Sequence, residues 1–193
     1  MRHADRLVCK GNHLIAANLT GAIHVLDAQK PTVVRTFRTH TSPVYRLAFS
    51  EPLFVSAGVS GEIHVHDLRA ASSLVPVQIF KGHKMRVSSL GWSSTDATSL
   101  ASGGVDQNLL VWDTRSAAKP AARVRKAGLQ TALAWSPHKR GVLATSGGTS
   151  ELCDWNTLGE MDGTERRVDT GASVSPRACS VWQPFLMSCR RTL

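Results

Sequence analysis

Apolar residues along this chain come in short bursts of about five, broken by Gly, Pro, Ser and Asn, and the bursts alternate between apolar and polar side chains. Residues 44–49, 53–57 and 63–65 each read as a strand, rich in Val, Ile, Leu and Phe and flanked by turn residues. A further strand, 33–37 or 77–80, precedes His40 and His83 in turn. No window of about 10–12 residues carries an apolar stripe at 3.6-residue spacing, so no helix is predicted. The pattern predicts an all-β chain.

The bursts recur with a fixed period. Trp92 and Trp135 lie 43 residues apart, and so do Trp112 and Trp155. Ser89-Leu90-Gly91-Trp92 is matched by Ala132-Leu133-Ala134-Trp135, and Val111-Trp112-Asp113 by Asp154-Trp155-Asn156. His83 follows His40 by the same 43 residues, and Ile63-His64-Val65-His66-Asp67 repeats Ile23-His24-Val25-Leu26-Asp27 at a distance of 40. A period of about 40–45 residues with four short strands per unit is the sequence signature of a β-propeller blade, and a strand ending in Trp-Asp resembles the WD repeat. The approximate blades are 11–30, 31–70, 75–116 and 122–158 within a single domain spanning 1–193. Residues 159–193 are either part of a further blade or a divergent tail; Ala178-Cys179-Ser180-Val181-Trp182 reads equally as an opening strand or as sequence outside the fold. At 43 residues per blade the chain is expected to hold about four to four and a half blades, a partial propeller.

Within the third unit, Lys81-Gly82-His83, Ser102, Asp106 and Trp112 resemble the WD-repeat hydrogen-bond tetrad. That resemblance implies a loop His bonded to a turn Asp, with the chain running on through a strand Ser to the indole N–H, each buried group satisfying the next. The other units lack the Asp. Thr20, Ser60 and Ser150 stand at the equivalent turn, and Lys126 stands where the fourth unit should have its His. The third blade is therefore expected to be the most rigid, with the others relying on apolar packing.

Composition narrows the chemistry. Of 193 residues, 42% are hydrophobic and 19% charged, as in an ordinary globular chain rather than a disordered one. No apolar stretch reaches the 18 or so residues of a membrane span, and the first residues lack the apolar centre of a signal peptide. Cys9, Cys153, Cys179 and Cys189 are far apart with no CxxC, which indicates neither a disulfide framework nor a zinc module and points to cytosol or nucleus. The formal charge of +9 favours acidic partners. Its clusters, Arg123-Val124-Arg125-Lys126, Lys139-Arg140, Arg166-Arg167 and Arg190-Arg191, fall in predicted loops or the tail. Aromatic residues do not interleave with them, which disfavours specific nucleic-acid recognition. His64 and His66 share one face of a strand, but no third ligand is spaced to help them, so no metal is expected. No nucleophile motif, phosphate loop or paired acid is present, so neither enzymatic activity nor a cofactor is expected. Ser175-Pro176-Arg177 offers a proline-directed phosphorylation site, although such a pair is more often a turn.

Longer segments are more particular. Gly11-Asn12-His13-Leu14-Ile15-Ala16, Ser60-Gly61-Glu62-Ile63-His64-Val65-His66-Asp67, Ala132-Leu133-Ala134-Trp135-Ser136-Pro137-His138 and Leu143-Ala144-Thr145-Ser146-Gly147-Gly148-Thr149-Ser150 resemble one family, the Fizzy-type (cell-division-cycle) activators of the anaphase-promoting complex. They run in the family's order over residues 11–174, matching its second to fifth blades. The resemblance implies a non-catalytic substrate receptor that binds short degrons, the destruction box and the KEN box, and presents mitotic regulators to the ubiquitin ligase. It implies as partners subunits of that complex and degron-bearing cell-cycle proteins, with no small-molecule substrate and no membrane, in nucleus and cytoplasm. Thr149 corresponds to the family's KEN-contacting Thr. Val105 and Gln107 replace the family's two Asn of the fourth-blade turn; Gln107 keeps an amide that can donate and accept, and Val105 keeps no polar atom. The family's N-terminal docking motif and its C-terminal Ile-Arg tail are not visible. Two alternatives stay open: a general WD-repeat interaction scaffold, and a truncated or degenerate copy with no independent function.

Overall fold

The computed structural model describes residues 7–154 apart from 31, 71–73, 117–118, 127 and 147–149. Among these, every regular element is a strand, as the alternating pattern predicts. The first sheet holds β1 (Leu7–Lys10), β2 (His13–Ala17), β3 (Ile23–Asp27) and β4 (Val33–Phe37). The second holds β5 (Val44–Ser50), β6 (Leu53–Gly58), β7 (Glu62–Asp67) and β8 (Gln78–Lys81). The third holds β9 (Val87–Trp92), β10 (Ser99–Gly104), β11 (Asn108–Asp113) and β12 (Ala122–Arg125), and the fourth β13 (Ala132–Trp135), β14 (Val142–Ser146) and β15 (Ser150–Asp154). Within each sheet the strands follow chain order and pair antiparallel.

The sequence repeat and the sheet are offset by one strand. β4 pairs with β3, Ile23 opposite Phe37, so it closes the first sheet rather than opening the unit 31–70. β8 likewise closes the second sheet and β12 the third. The fourth strand of each of these sheets pairs back onto the third, and the segments around His40 and His83 carry the chain across to the next sheet. The ranges 11–30, 31–70, 75–116 and 122–158 therefore mark the period and not the sheets. β1, which lies before residue 11, completes the first sheet by pairing Leu7–Lys10 with His13–Ala16.

The sheets stack face to face, and the apolar core lies between them in three slabs. Ile15, Ile23, Val25 and Phe37 of the first sheet meet Val44, Leu47, Phe49 and Phe54 of the second. Val55, Ile63, Val65 and Phe80 of the second meet Val87, Leu100, Leu110 and Trp112 of the third. Ala101, Leu109, Val111 and Val124 of the third meet Trp135 and Leu143 of the fourth. The leading strands β1, β5, β9 and β13 touch in succession along one side. A sheet between two others is covered on both faces, so its middle strands are buried throughout: all six residues of β10 are buried, and five of six on β6. That is why these strands read as nearly continuous small and apolar runs instead of a clean alternation.

Candidate functional site

The four residues of the third unit come together around the hydroxyl of Ser102, which is wholly buried in the middle of β10. Trp112 on the adjacent β11 donates its indole N–H to Ser102 Oγ at 2.8 Å. Ser102 Oγ lies 2.8 Å from His83 Nε2, and His83 Nδ1 lies 3.0 Å from Asp106 Oδ1. Asp106 also accepts the backbone N–H groups of Lys84 and Asn108. Burial holds the His83 imidazole below its ordinary range, against the pull of Asp106. Burial by itself raises the Asp106 carboxyl, but the Lys84 amide, His83 and Asn108 together hold it below the ordinary carboxylate value. A neutral His83 beside an ionised Asp106 carries its proton on Nδ1, so the donors run one way, from Trp112 through Ser102 and His83 to Asp106. Such a chain leaves each of its buried polar groups partnered, and it ties the loop before β9 to the turn before β11. Trp112 also stacks on Phe80 of the second sheet at 5.0 Å.

The second sheet holds a network that sequence reasoning assigned to apolar packing. Ser56 Oγ on β6 lies 2.8 Å from His40 Nε2 and 2.8 Å from His66 Nε2. Here His66 takes the place of Trp112, and Ser60 the place of Asp106. The spacing of ten residues from Ser56 to His66 repeats that from Ser102 to Trp112, and this was the available signal. Burial pushes both His40 and His66 down to about 3, so both are neutral. A third ring joins them: His64 stacks on His40 with centroids 3.8 Å apart and planes 12° apart. The expectation that His64 and His66 lack a third imidazole is thus corrected. His40 is 24 residues upstream of His64 in sequence, and the crossing between the first and second sheets brings it back. One ligand nitrogen from each of the three rings lies within 4.8 Å of the others.

The β2–β3, β6–β7 and β10–β11 turns abut the crossing segments and form one face. Val59 N–H bonds the carbonyl of Pro43, and Val105 N–H that of Arg86. At the tip of each turn one residue is left-handed: Gly21 at φ +85°, Gly61 at +80° and Gln107 at +65°. A Cβ at Gly21 would lie 2.5 Å from the His40 carbonyl oxygen, and one at Gly61 2.7 Å from that of His83. Gln107 holds this conformation at the usual cost of an L-residue, and its carbonyl accepts the Lys126 N–H. Exposed apolar side chains surround the turns, Leu19 and Val59 on them and Met85 and Leu129 on the adjoining segments, with half-buried Val105 among them. Gln107 is half-buried at this face; Thr149 lies outside the described residues.

The basic clusters are less loop-like than their composition implies. Arg123 and Arg125 belong to the outer strand β12, Arg123 donating to the Gly82 carbonyl. Lys126, at the position of His83 in the next unit, is buried, and Arg140 bonds Asp96 at 3.1 Å. Arg166, Arg167, Arg190, Arg191 and Ser175 lie outside the described residues.

The family model described as "WD domain, G-beta repeat" matches residues 31–67 and 74–113. The chain is 34% identical to Meiotic fizzy-related protein 1 of Schizosaccharomyces pombe over 89% of its own length and 40% of that protein's. It is 35% identical to B-type cell cycle switch protein ccs52A of Medicago truncatula, over 86% of this chain and 34% of that one. It thus spans well under half the length of the curated relatives it matches. A chain in the crystal structure of the mitotic checkpoint complex superposes with a TM-score of 0.73 at 29% identity, covering 79% of this chain and 48% of that chain. With repeats, stacked four-strand sheets and the Trp–Ser–His–Asp chain in place, the protein belongs to the WD-repeat β-propellers and resembles the Fizzy-related proteins of the cell cycle.

Proposed function

We propose that this chain is a non-catalytic, substrate-recruiting module of the Fizzy type, which presents degron-bearing cell-cycle proteins to the anaphase-promoting complex in nucleus and cytoplasm. The observation that carries the reading is the likeness to Fizzy-related proteins at 34–35% identity along nearly nine-tenths of the chain. The face built by the turns supports it. Gln107 sits there in a strained left-handed conformation, which persists where surrounding structure imposes it and often marks a binding position. The apolar side chains of Leu19, Val59 and Met85 supply contact area for an extended peptide. Fluorescence-anisotropy titration of the full chain with KEN-box and destruction-box peptides tests the reading. Binding at least about tenfold tighter than to scrambled peptides is expected, and equal binding to both would overturn it. Val105, which offers no polar atom at the same turn, favours a second reading as a general WD-repeat scaffold. Under that reading the peptides fail while subunits of a complex are still captured.

A further inference from the structure

His64 has no part in the hydrogen-bonded chain of the second sheet. Counting from Ser56 and His66 to Ser102 and Trp112, it holds the position that Leu110 holds on β11, where a wholly buried hydrocarbon suffices. In its place the second sheet buries an imidazole that is 4% exposed. Its Nε2 lies 3.3 Å from Glu62 Oε2, so the ring proton sits on Nε2 and the Nδ1 lone pair is bare. His64 Nδ1 is buried with no hydrogen-bond partner, and so is His66 Nδ1. Two unpartnered imidazole nitrogens in a core are costly unless something occupies them.

We propose that His40, His64 and His66 form a binding site for a divalent transition-metal cation of borderline softness, with Zn²⁺ the best match, and that Glu62 orients His64 within it. An all-imidazole donor set suits Zn²⁺ and its neighbours and excludes Mg²⁺ and Ca²⁺, which require oxygen. A carboxylate on the far nitrogen of a ligating His is the usual outer partner of such sites, and Glu62 fills that place. The ligand nitrogens, within 4.8 Å of one another, must draw in to the ~3.4 Å edge of a tetrahedron whose Zn–N bonds are about 2.0–2.1 Å. That takes rotation of the rings: the His40–His64 stack tilts open, and His40 and His66 loosen their hold on Ser56. A water completing the tetrahedron would enter beside the Glu62 side chain, which is one-third exposed. The charge facing the site there is Lys81, bonded to Glu62 at 2.9 Å but largely exposed and free to swing into water.

Cobalt reports the geometry directly. Titrated with Co²⁺, the full chain is expected to show the strong visible bands of a tetrahedral centre at one metal per chain, bleached by Zn²⁺. His64→Leu, which installs the residue of the neighbouring sheet and so preserves packing, is expected to weaken binding at least about tenfold. His138→Ala, at an exposed His, is expected to change nothing. Should His64→Leu fail to fold, Glu62→Gln is read in the same titration and is expected to weaken binding about tenfold. Absence of tetrahedral bands in the unaltered chain, or unchanged affinity in the informative variant, overturns the proposal.

Discussion

Acid should loosen the second sheet well before it reaches the carboxylates. His40 is 8% exposed and His66 1%, and burial, with the neighbouring imidazoles adding to it, holds both near 3 in the folded chain. In the unfolded chain each titrates near its ordinary value of about 6.5. The folded-state values are lowered, so between these limits the unfolded chain binds more protons than the folded one. The stability that rests on the two neutral rings is complete above about pH 6.5 and drains away as the pH falls toward 3. Each ring contributes about 1.4 kcal/mol per pH unit in that window, so two contribute roughly 2.7. From pH 6.5 to 5 the loss is about 3 kcal/mol, because the slope is only half developed at 6.5, and it is a large share of the 5–15 kcal/mol typical of a domain. Beside the cluster, the Lys81 ammonium and His64 hold the Glu62 carboxyl below its ordinary carboxylate value. The lowered carboxyls of Asp96 and Asp106 act in the same direction, but only below their unfolded value near 4. Urea unfolding followed by tryptophan fluorescence at pH 7.5, 6.5, 5.5 and 5.0 measures the slope. His66→Phe, which keeps an aromatic ring between Phe37 and Phe54, should remove its share of the slope, while His40 and the likewise lowered His64 and His83 keep the rest. A midpoint that stays flat from pH 6.5 to 5, or a full slope retained in His66→Phe, refutes the reasoning.

Three further outcomes follow from the third sheet. Trp112→Phe removes the indole donor to Ser102 and opens a void beside Phe80, and should cost about 2–4 kcal/mol in urea unfolding. Gly104→Ala places a methyl group against Asp106 Oδ1 and His83 Nδ1; it should break that hydrogen bond and lose stability by a comparable amount, with His83 Nδ1–H shifting in the proton NMR spectrum. Gln107→Gly relieves a left-handed L-residue worth about 1–2 kcal/mol, less about 0.5–1 kcal/mol of glycine entropy, and should raise the unfolding midpoint slightly. If the turn face binds degrons, the same variant lowers peptide affinity in the anisotropy assay. A raised midpoint with unchanged peptide affinity would place Gln107 in the fold alone.

Period and alternation are local properties of the chain, and by themselves they determined the class. Forty-odd residues with four short strands, a Trp-Asp ending and no helical stripe leave few arrangements besides stacked four-strand sheets. The residues at Ser102, Asp106 and Trp112 were legible for the same reason: each stands at a fixed offset in the repeat. What the period could not reveal was anything that depends on where one sheet ends and the next begins. Val33–Phe37 belongs to the sheet behind it, where its backbone pairs with Ile23–Leu26, and the repeat boundary does not show that. Lys126 reads as part of a basic run, yet its position in the unit buries it. The histidines mark the limit most clearly. On one strand His64 and His66 look like the ordinary alternation of a blade, and burial on both faces of a stacked sheet was invisible from that strand alone. Only the crossing that returns His40 to the same core turns two unremarkable side chains into a close, buried and proton-poor cluster. Sequence sets which side chains recur; the stacking of sheets decides which of them meet, and in how dry a place.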